Sequence, residues 1–262
     1  MMHHEFVNKA IEIAKADASI LGLAAGGSWI DNQIDEFSDI DLVLVTEKLV
    51  SGSFDQMYYY ASQFGTLLNA FTGEHVGEKR LLICMYDNPL LHVDIKFITI
   101  EELKQRVENP VVLWDRDGTL SQVIESTASA WPELNYQWIE DRFWTWIHYS
   151  SLKIGRGELF ETIDSISAMR VMVLAPMMQI KNSQLPRGMR KIEQNFPKNE
   201  IELLKKTIPE YSLESIVEAL RKTIEIYRLL RLVIFDKKIN LRSTTEEKCV
   251  AYFENIAAQV TK

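Results

Sequence analysis

The chain has 262 residues, 47% hydrophobic and 25% charged, which excludes a disordered or fibrous chain and leaves room for two modest domains. A formal net charge of −8 argues against a broad nucleic-acid surface and favours a neutral or cationic small partner. Two cysteines, Cys84 and Cys249, suit reduced thiols in a cytoplasmic protein, no apolar run is expected to reach membrane-spanning length, and MMHHEFVNKAIEIAKADA lacks the apolar core of a signal peptide.

Phe6, Ala10, Ile13 and Ala14 predict a short amphipathic helix over 5–15, followed by a buried strand in SILGLAAGG. A strand then begins at Asp39, and FDQMYYYASQFGTLLNAF reads as helix. KRLLICMY is a strand, and LLHVDIKFIT alternates so that Leu91, Val93, Ile95 and Phe97 share one face and His92, Asp94 and Lys96 the other. VVLWD is the last strand. Beyond about Ser121 the period becomes helical: NYQWIEDRFWTWIHYSSLKIG, then GELFETIDSISAMRVMVLAPMMQI, then LESIVEALRKTIEIYRLLRLVIF. A last helix is predicted behind a capping box from Ser243 to Glu246. The fold class is therefore an α/β (α+β) domain over 1–125 followed by an all-α helical bundle over 126–262.

On a strand Asp39 and Asp41 point the same way, while Ile40, Leu42 and Leu44 face the core. Two carboxylates so close repel one another unless a cation completes them. Asp94 lies on the polar face of a second strand, and pairing of the two strands brings three carboxylates to one place, at a separation suited to two divalent ions. Mg²⁺ prefers such oxygen ligands and draws its remaining ones from substrate phosphates. Gly26, Gly27 and Ser28 end the preceding strand, where small residues admit a phosphate and the serine hydroxyl adds a donor. The stretch lacks the Lys-Ser/Thr of a P-loop and the third glycine of a dinucleotide fingerprint.

Gly27-Ser28, ten residues of WIDNQIDEFS, then DID and a later HVDIKF resemble the signature of the nucleotidyltransferase superfamily that includes DNA polymerase β and the antibiotic-modifying adenylyltransferases. WIHYSSLKIGRGELFE is similar to a helical stretch of the streptomycin and lincosamide adenylyltransferases. The resemblance implies a mixed-sheet catalytic domain and a helical substrate-binding domain. It implies Mg²⁺, two ions, with Asp39, Asp41 and Asp94 as ligands, and ATP or another NTP as nucleotide substrate held by Gly27, Ser28 and Lys153. Asp94 or Glu158 would be the catalytic base, with Arg156 nearby. The expected reaction moves a nucleoside monophosphate, AMP in the leading reading, to a hydroxyl of a small molecule such as an aminoglycoside or lincosamide. Homodimer formation is left open by the pattern.

Two other readings compete. A non-catalytic nucleotide-binding module, or a transferase acting on protein or RNA, would use the same aspartates. VVLWDRDGTL also matches a dehalogenase-type phosphatase motif in which Asp115 would be the nucleophile; the helical chain after it does not continue the required sheet, so Asp115 to Gly118 is read as a turn. The tryptophans from Trp131 to Trp146 are read as core, and His92 and His148 as packing or surface residues.

Overall fold

The structure is a computed structural model that describes residues 2–260. The chain falls into two compact units, Met1–Pro132 and Glu133–Lys262. The first holds α1 (Met2–Ala16), β1 (Ile20–Ala25), β2 (Ile40–Thr46), α2 (Phe54–Phe64), β3 (Thr66–Gly73), β4 (Glu78–Asp87), β5 (Leu91–Ile98), α3 (Ile100–Leu103), β6 (Val111–Asp115) and α4 (Thr119–Ser126). Its six strands form one mixed sheet in the order β3-β4-β5-β2-β1-β6; β2 and β5 run parallel and the other neighbours antiparallel.

Alternation along β2 and β5 buries Ile40, Leu42, Leu44, Val93, Ile95 and Phe97 in one cluster with Phe6, Val7, Met57 and Ala61 of α1 and α2. A second cluster joins Val45 and Ile98 to Leu103, Leu120 and Val123 of α3 and α4. Arg116 locks α1 to the sheet: its guanidinium donates to the carbonyls of Ala14, Lys15, Asp17 and Ile20 at 2.8–3.4 Å. Asp115 accepts from the backbone N–H of Leu120 (3.2 Å) and of Ser121 (2.9 Å) and from the Ser121 hydroxyl, so it holds the first turn of α4 rather than presenting a nucleophile.

One predicted helix is shorter than its apolar pattern suggests. The spacing carries it through Phe71, but α2 stops at Phe64, Gly65 is extended, and Thr66–Gly73 becomes the edge strand β3, paired antiparallel with β4. TLLNAF has no period strong enough to resist the pairing that β4 offers, a tertiary override of local pattern.

Across β4 and β5, Glu78 receives both Nε and Nη2 of Arg80 (2.8 and 2.7 Å) and Nζ of Lys96 (2.7 Å). The Arg80 guanidinium, helped by Lys96, pulls the Glu78 carboxyl from 4.5 to about 2. A depressed folded-state value adds stability above pH 4.5 that is lost as pH falls toward 2. Partial exposure reduces the contribution to roughly 1–2 kcal/mol. Glu78→Gln should flatten the fall in unfolding free energy over that window in denaturant titrations; an unchanged acid limb would show that the cluster does not couple to folding.

The second unit is helical: α5 (Tyr136–Gly155), α6 (Leu159–Met169), a π-helical turn (Arg170–Leu174), α7 (Ala175–Lys181), α8 (Ile192–Asn195), α9 (Lys198–Lys205), α10 (Leu213–Ile234) and α11 (Ser243–Val260). Helix α6 continues into α7 past Pro176, because the wide π turn just before it absorbs the carbonyl a proline would clash with. Contrary to expectation, Leu159–Lys181 is apolar and long enough, at 23 residues, to cross a membrane; half of its most apolar window is buried in the unit's own core, as in a core helix. Ser243 is the first residue of α11 rather than its cap, and Glu246 turns instead to Arg228 and Arg231, at 2.7 Å from each.

A buried carboxylate organises this core. Glu140 is wholly buried on α5 and accepts from Tyr227 Oη (2.6 Å), Trp144 Nε1 (3.2 Å), Arg231 Nη1 (3.1 Å) and the Arg242 backbone N–H (2.9 Å). The last bond draws in the chain just before α11.

Candidate active site

β1 delivers the chain to Gly26, whose N–H donates to the Asp41 carbonyl at 2.9 Å. Gly27 follows with φ +56, opening a single 3₁₀ turn, Gly27–Trp29. A Cβ on Gly27 would lie 2.0 Å from Asp41 Oδ2, so this position requires glycine twice over, for its backbone angle and for the carboxylate against it. The Ser28 hydroxyl and Trp29 Nε1 are buried without a hydrogen-bond partner, the condition of donors shaped for something else.

The register of the parallel pair sets Asp41 beside Asp94, as Ile40 stands beside Val93 and Leu42 beside Ile95. Adjacent strands lie about 4.8 Å apart, so the two side chains emerge abreast from one face. That is the face on which Val43 and Val45 pack further along β2; Asp41 is the second residue of β2 and Asp94 the fourth of β5. Asp39 precedes the first residue of β2 and is exposed. Two of the three carboxylates are thus brought together and the third stands one residue outside the sheet. Among the described residues, no three His, Cys, Asp or Glu side chains are gathered as a ready metal cluster. The donor set still suits a hard cation: carboxylate oxygens on a parallel strand pair, with the glycine turn seated against Asp41.

The sequence reads His92 as a packing or surface residue, and its exposed side chain also has a specific partner. Its Nε2 lies 2.9 Å from Asp94 Oδ1, while Lys96, on the same polar face, pairs with Glu78. The period-two spacing of His92 and Asp94 on one polar face was the available signal.

The other predicted residues belong to the second unit. Lys153 Nζ is 2.5 Å from Glu158 Oε2, and Arg156 Nη1 is 3.6 Å from Glu158 Oε1. Lys153 holds the Glu158 carboxyl below its usual range, and Glu158 raises the lysine. A carboxylate so engaged is the poorer base. Lys153 also sits over the Tyr149 ring at 5.2 Å, and Trp138, Trp146, Tyr149 and Lys153 recur at helical spacing along one face of α5. The tryptophans therefore divide: Trp144 is core, whereas Trp138 is 39% exposed and meets Trp146 edge-on. Beside that face lies a cavity of about 340 Å³, walled by Trp146, Met169 and Met172 and edged by Tyr149, Glu161 and Asp164. The Tyr149 hydroxyl donates to Glu161, and Asp164 has no ion-pair or hydrogen-bond partner among the described residues.

The family model for streptomycin adenylyltransferase matches residues 2–256, nearly the whole chain. The chain belongs to the streptomycin adenylyltransferase family. As a member of that family it is a nucleotidyltransferase, and its mixed sheet followed by helices is the expected arrangement. Among solved structures it is similar to an aminoglycoside 6-adenyltransferase from Bacillus subtilis, at 17% identity over 97% of this chain and 98% of that one, with a TM-score of 0.43. It is also similar to a spectinomycin adenyltransferase from Enterococcus faecialis, crystallised with ATP and spectinomycin, at 12% identity over 99% of both chains and a TM-score of 0.35. No curated protein matched the sequence.

Proposed function

We propose that this adenylyltransferase moves AMP from ATP, with Mg²⁺, to a hydroxyl of a small cationic acceptor of the antibiotic class. The observation that carries the reading is the abreast placement of Asp41 and Asp94 with Gly27 seated against Asp41. Asp41 and Asp94, with Asp39 at the edge, would hold two ions. Mg²⁺, when bound, supplies neutralisation of the triphosphate and of the departing pyrophosphate. Ser28 Oγ donates to a phosphate oxygen. Asp94, oriented by His92, takes the proton of the acceptor hydroxyl. The acceptor oxygen bonds to the α-phosphorus as the bond from that phosphorus to the bridging oxygen of pyrophosphate breaks. The engagement of Glu158 by Lys153 and Arg156 favours Asp94 over Glu158 as base. Free Cys84 and Cys249, together with ATP as donor, support a cytoplasmic setting.

The reaction is tested by incubating the protein with Mg²⁺, ATP and, separately, streptomycin, spectinomycin and lincomycin, and looking for an AMP adduct by mass spectrometry. A metal-dependent adduct on one acceptor is expected; ATP binding with no adduct on any would leave the small-molecule reading without support. The cavity on α5 and α6 is assigned to the acceptor, its uncommitted Asp164 meeting a cationic group and Trp146 an apolar ring face. Asp164→Asn should raise the acceptor KM on the order of tenfold, leaving the KM for ATP unchanged. An unchanged acceptor KM would show that the cavity does not bind the acceptor.

A further inference from the structure

We propose that the first turn of α1 is the positioning device of the loop that carries the site, with His3 and His4 clamping its two flanks. The inference rests on the nucleotide-binding role proposed for Ser28, Asp39 and Asp41. The loop between β1 and β2 contains no regular element beyond the Gly27–Trp29 turn, so side chains must hold it. At its far flank His3, 1% exposed, donates from Nε2 to the Ser38 carbonyl at 2.9 Å, the peptide that leads directly into Asp39. At its near flank the His4 ring meets Trp29, the residue after Ser28, edge-on at 4.8 Å.

Between these points the loop is internally braced. Gln33 N–H donates to the Ser28 carbonyl at 2.8 Å, and the Asp35 carboxylate accepts from the Phe37 N–H at 3.0 Å and the Ser38 hydroxyl at 2.9 Å. Each half of the loop is thus braced within itself, and its placement falls to the contacts at its flanks. α1 is a firm reference, since Phe6, Val7 and Ala10 anchor it in the core immediately after the two histidines.

Folding alone does not call for a histidine at position 3. With Nε2 donating, a neutral ring leaves Nδ1 as an acceptor, and that atom is buried without a partner. An aliphatic side chain would fill the same position on the apolar face of α1 without this penalty. The buried side-chain polar atoms that lack partners among the described residues belong to His3, Ser28 and Trp29, all in this clamp and its turn. Polar groups left unpaired in one place mark a surface arranged for a purpose other than stability. His3 and His4 are positioning residues, acting through Ser38 and Trp29 rather than touching the nucleotide.

The test compares His3→Leu, which removes the donor, with His3→Gln, which returns an N–H near the same place. Binding of a fluorescent ATP analogue with Mg²⁺ is measured alongside steady-state kinetics and thermal unfolding of the full chain. The Kd and KM for the nucleotide should rise about tenfold in His3→Leu with kcat changed less, and His3→Gln should recover most of the loss. Unchanged nucleotide affinity in His3→Leu would overturn the positioning role while leaving the site reading intact. Equal losses in both variants, tracking a lowered Tm, would show a structural role only. No nucleotide binding by the unaltered protein would overturn the site reading itself, and this inference with it. Should His3→Leu not fold, His4→Ala at its exposed position reads the other flank: a rise of about threefold in nucleotide Kd supports the clamp, and no change overturns it.

Discussion

Asp41→Asn should lower the proposed AMP transfer by about a thousandfold while the protein stays folded. The substitution is nearly isosteric, so the Gly27 turn still meets a side chain of the same shape, and the Gly26 bond to residue 41 uses the backbone carbonyl. What changes is charge. Asp41 stands abreast of Asp94, and on the proposed metal role losing one carboxylate would ease their repulsion in the absence of metal and remove a ligand in its presence. The unfolding midpoint in metal-free buffer should therefore hold or rise slightly, and the rate at saturating ATP should collapse. Circular dichroism and a timed pyrophosphate assay on the same preparation separate the two effects. Near-native turnover in this variant would sink the metal assignment.

Glu140→Ala should destabilise the helical unit by about 3–5 kcal/mol, the largest stability effect expected of any single substitution here. Deleting the carboxylate strips acceptors from Tyr227, Trp144 and the Arg242 N–H. It also leaves Arg231, only 13% exposed, with Glu246 as its remaining charged partner. Burial and the bond to Glu140 together push the Tyr227 hydroxyl well above its ordinary pKa, so the phenol remains a donor at any pH the protein survives. Since Arg231 keeps one carboxylate, the lower part of that range applies if Glu246 can follow it. Glu140→Gln retains the shape and some of the acceptors and should cost about half as much. Urea titrations followed by far-ultraviolet circular dichroism, dominated by the helices of this unit, report the loss. A loss below about 1 kcal/mol in Glu140→Ala would mean that water replaces the carboxylate without penalty.

Much of the fold was legible because its periods are strong. β5 alternates without a fault over Leu91, Val93, Ile95 and Phe97, and each of the four is buried. The 20 residues of α5 end at Gly155, where the sequence places a glycine. Where the period is weak, neighbours decided: Thr66–Gly73 became a strand because β4 presented an open edge. Glu246 fits a capping box by spacing, yet two arginines on α10 offered opposite charge in a half-buried place, and the ion pairs won.

The candidate site divides the same way. Composition, the Gly-Gly-Ser turn and the two-residue period of Asp39 and Asp41 are local properties, and each could be read from adjacent letters. That Asp94 stands beside Asp41, rather than one residue away and on the opposite face, depends on the register between strands more than fifty residues apart. The retention of Glu158 by Lys153 and the grip of His3 on Ser38 are likewise absent from any spacing rule, and the shared face of His92 and Asp94 does not by itself say that they pair. The sequence by itself determined the strongly periodic elements, their buried faces and the chemistry available, because side-chain period and turn preference are set by neighbours along the chain. Tertiary structure alone decided which carboxylates meet and which charges are already spent, because contacts between distant segments follow from packing the whole core at once.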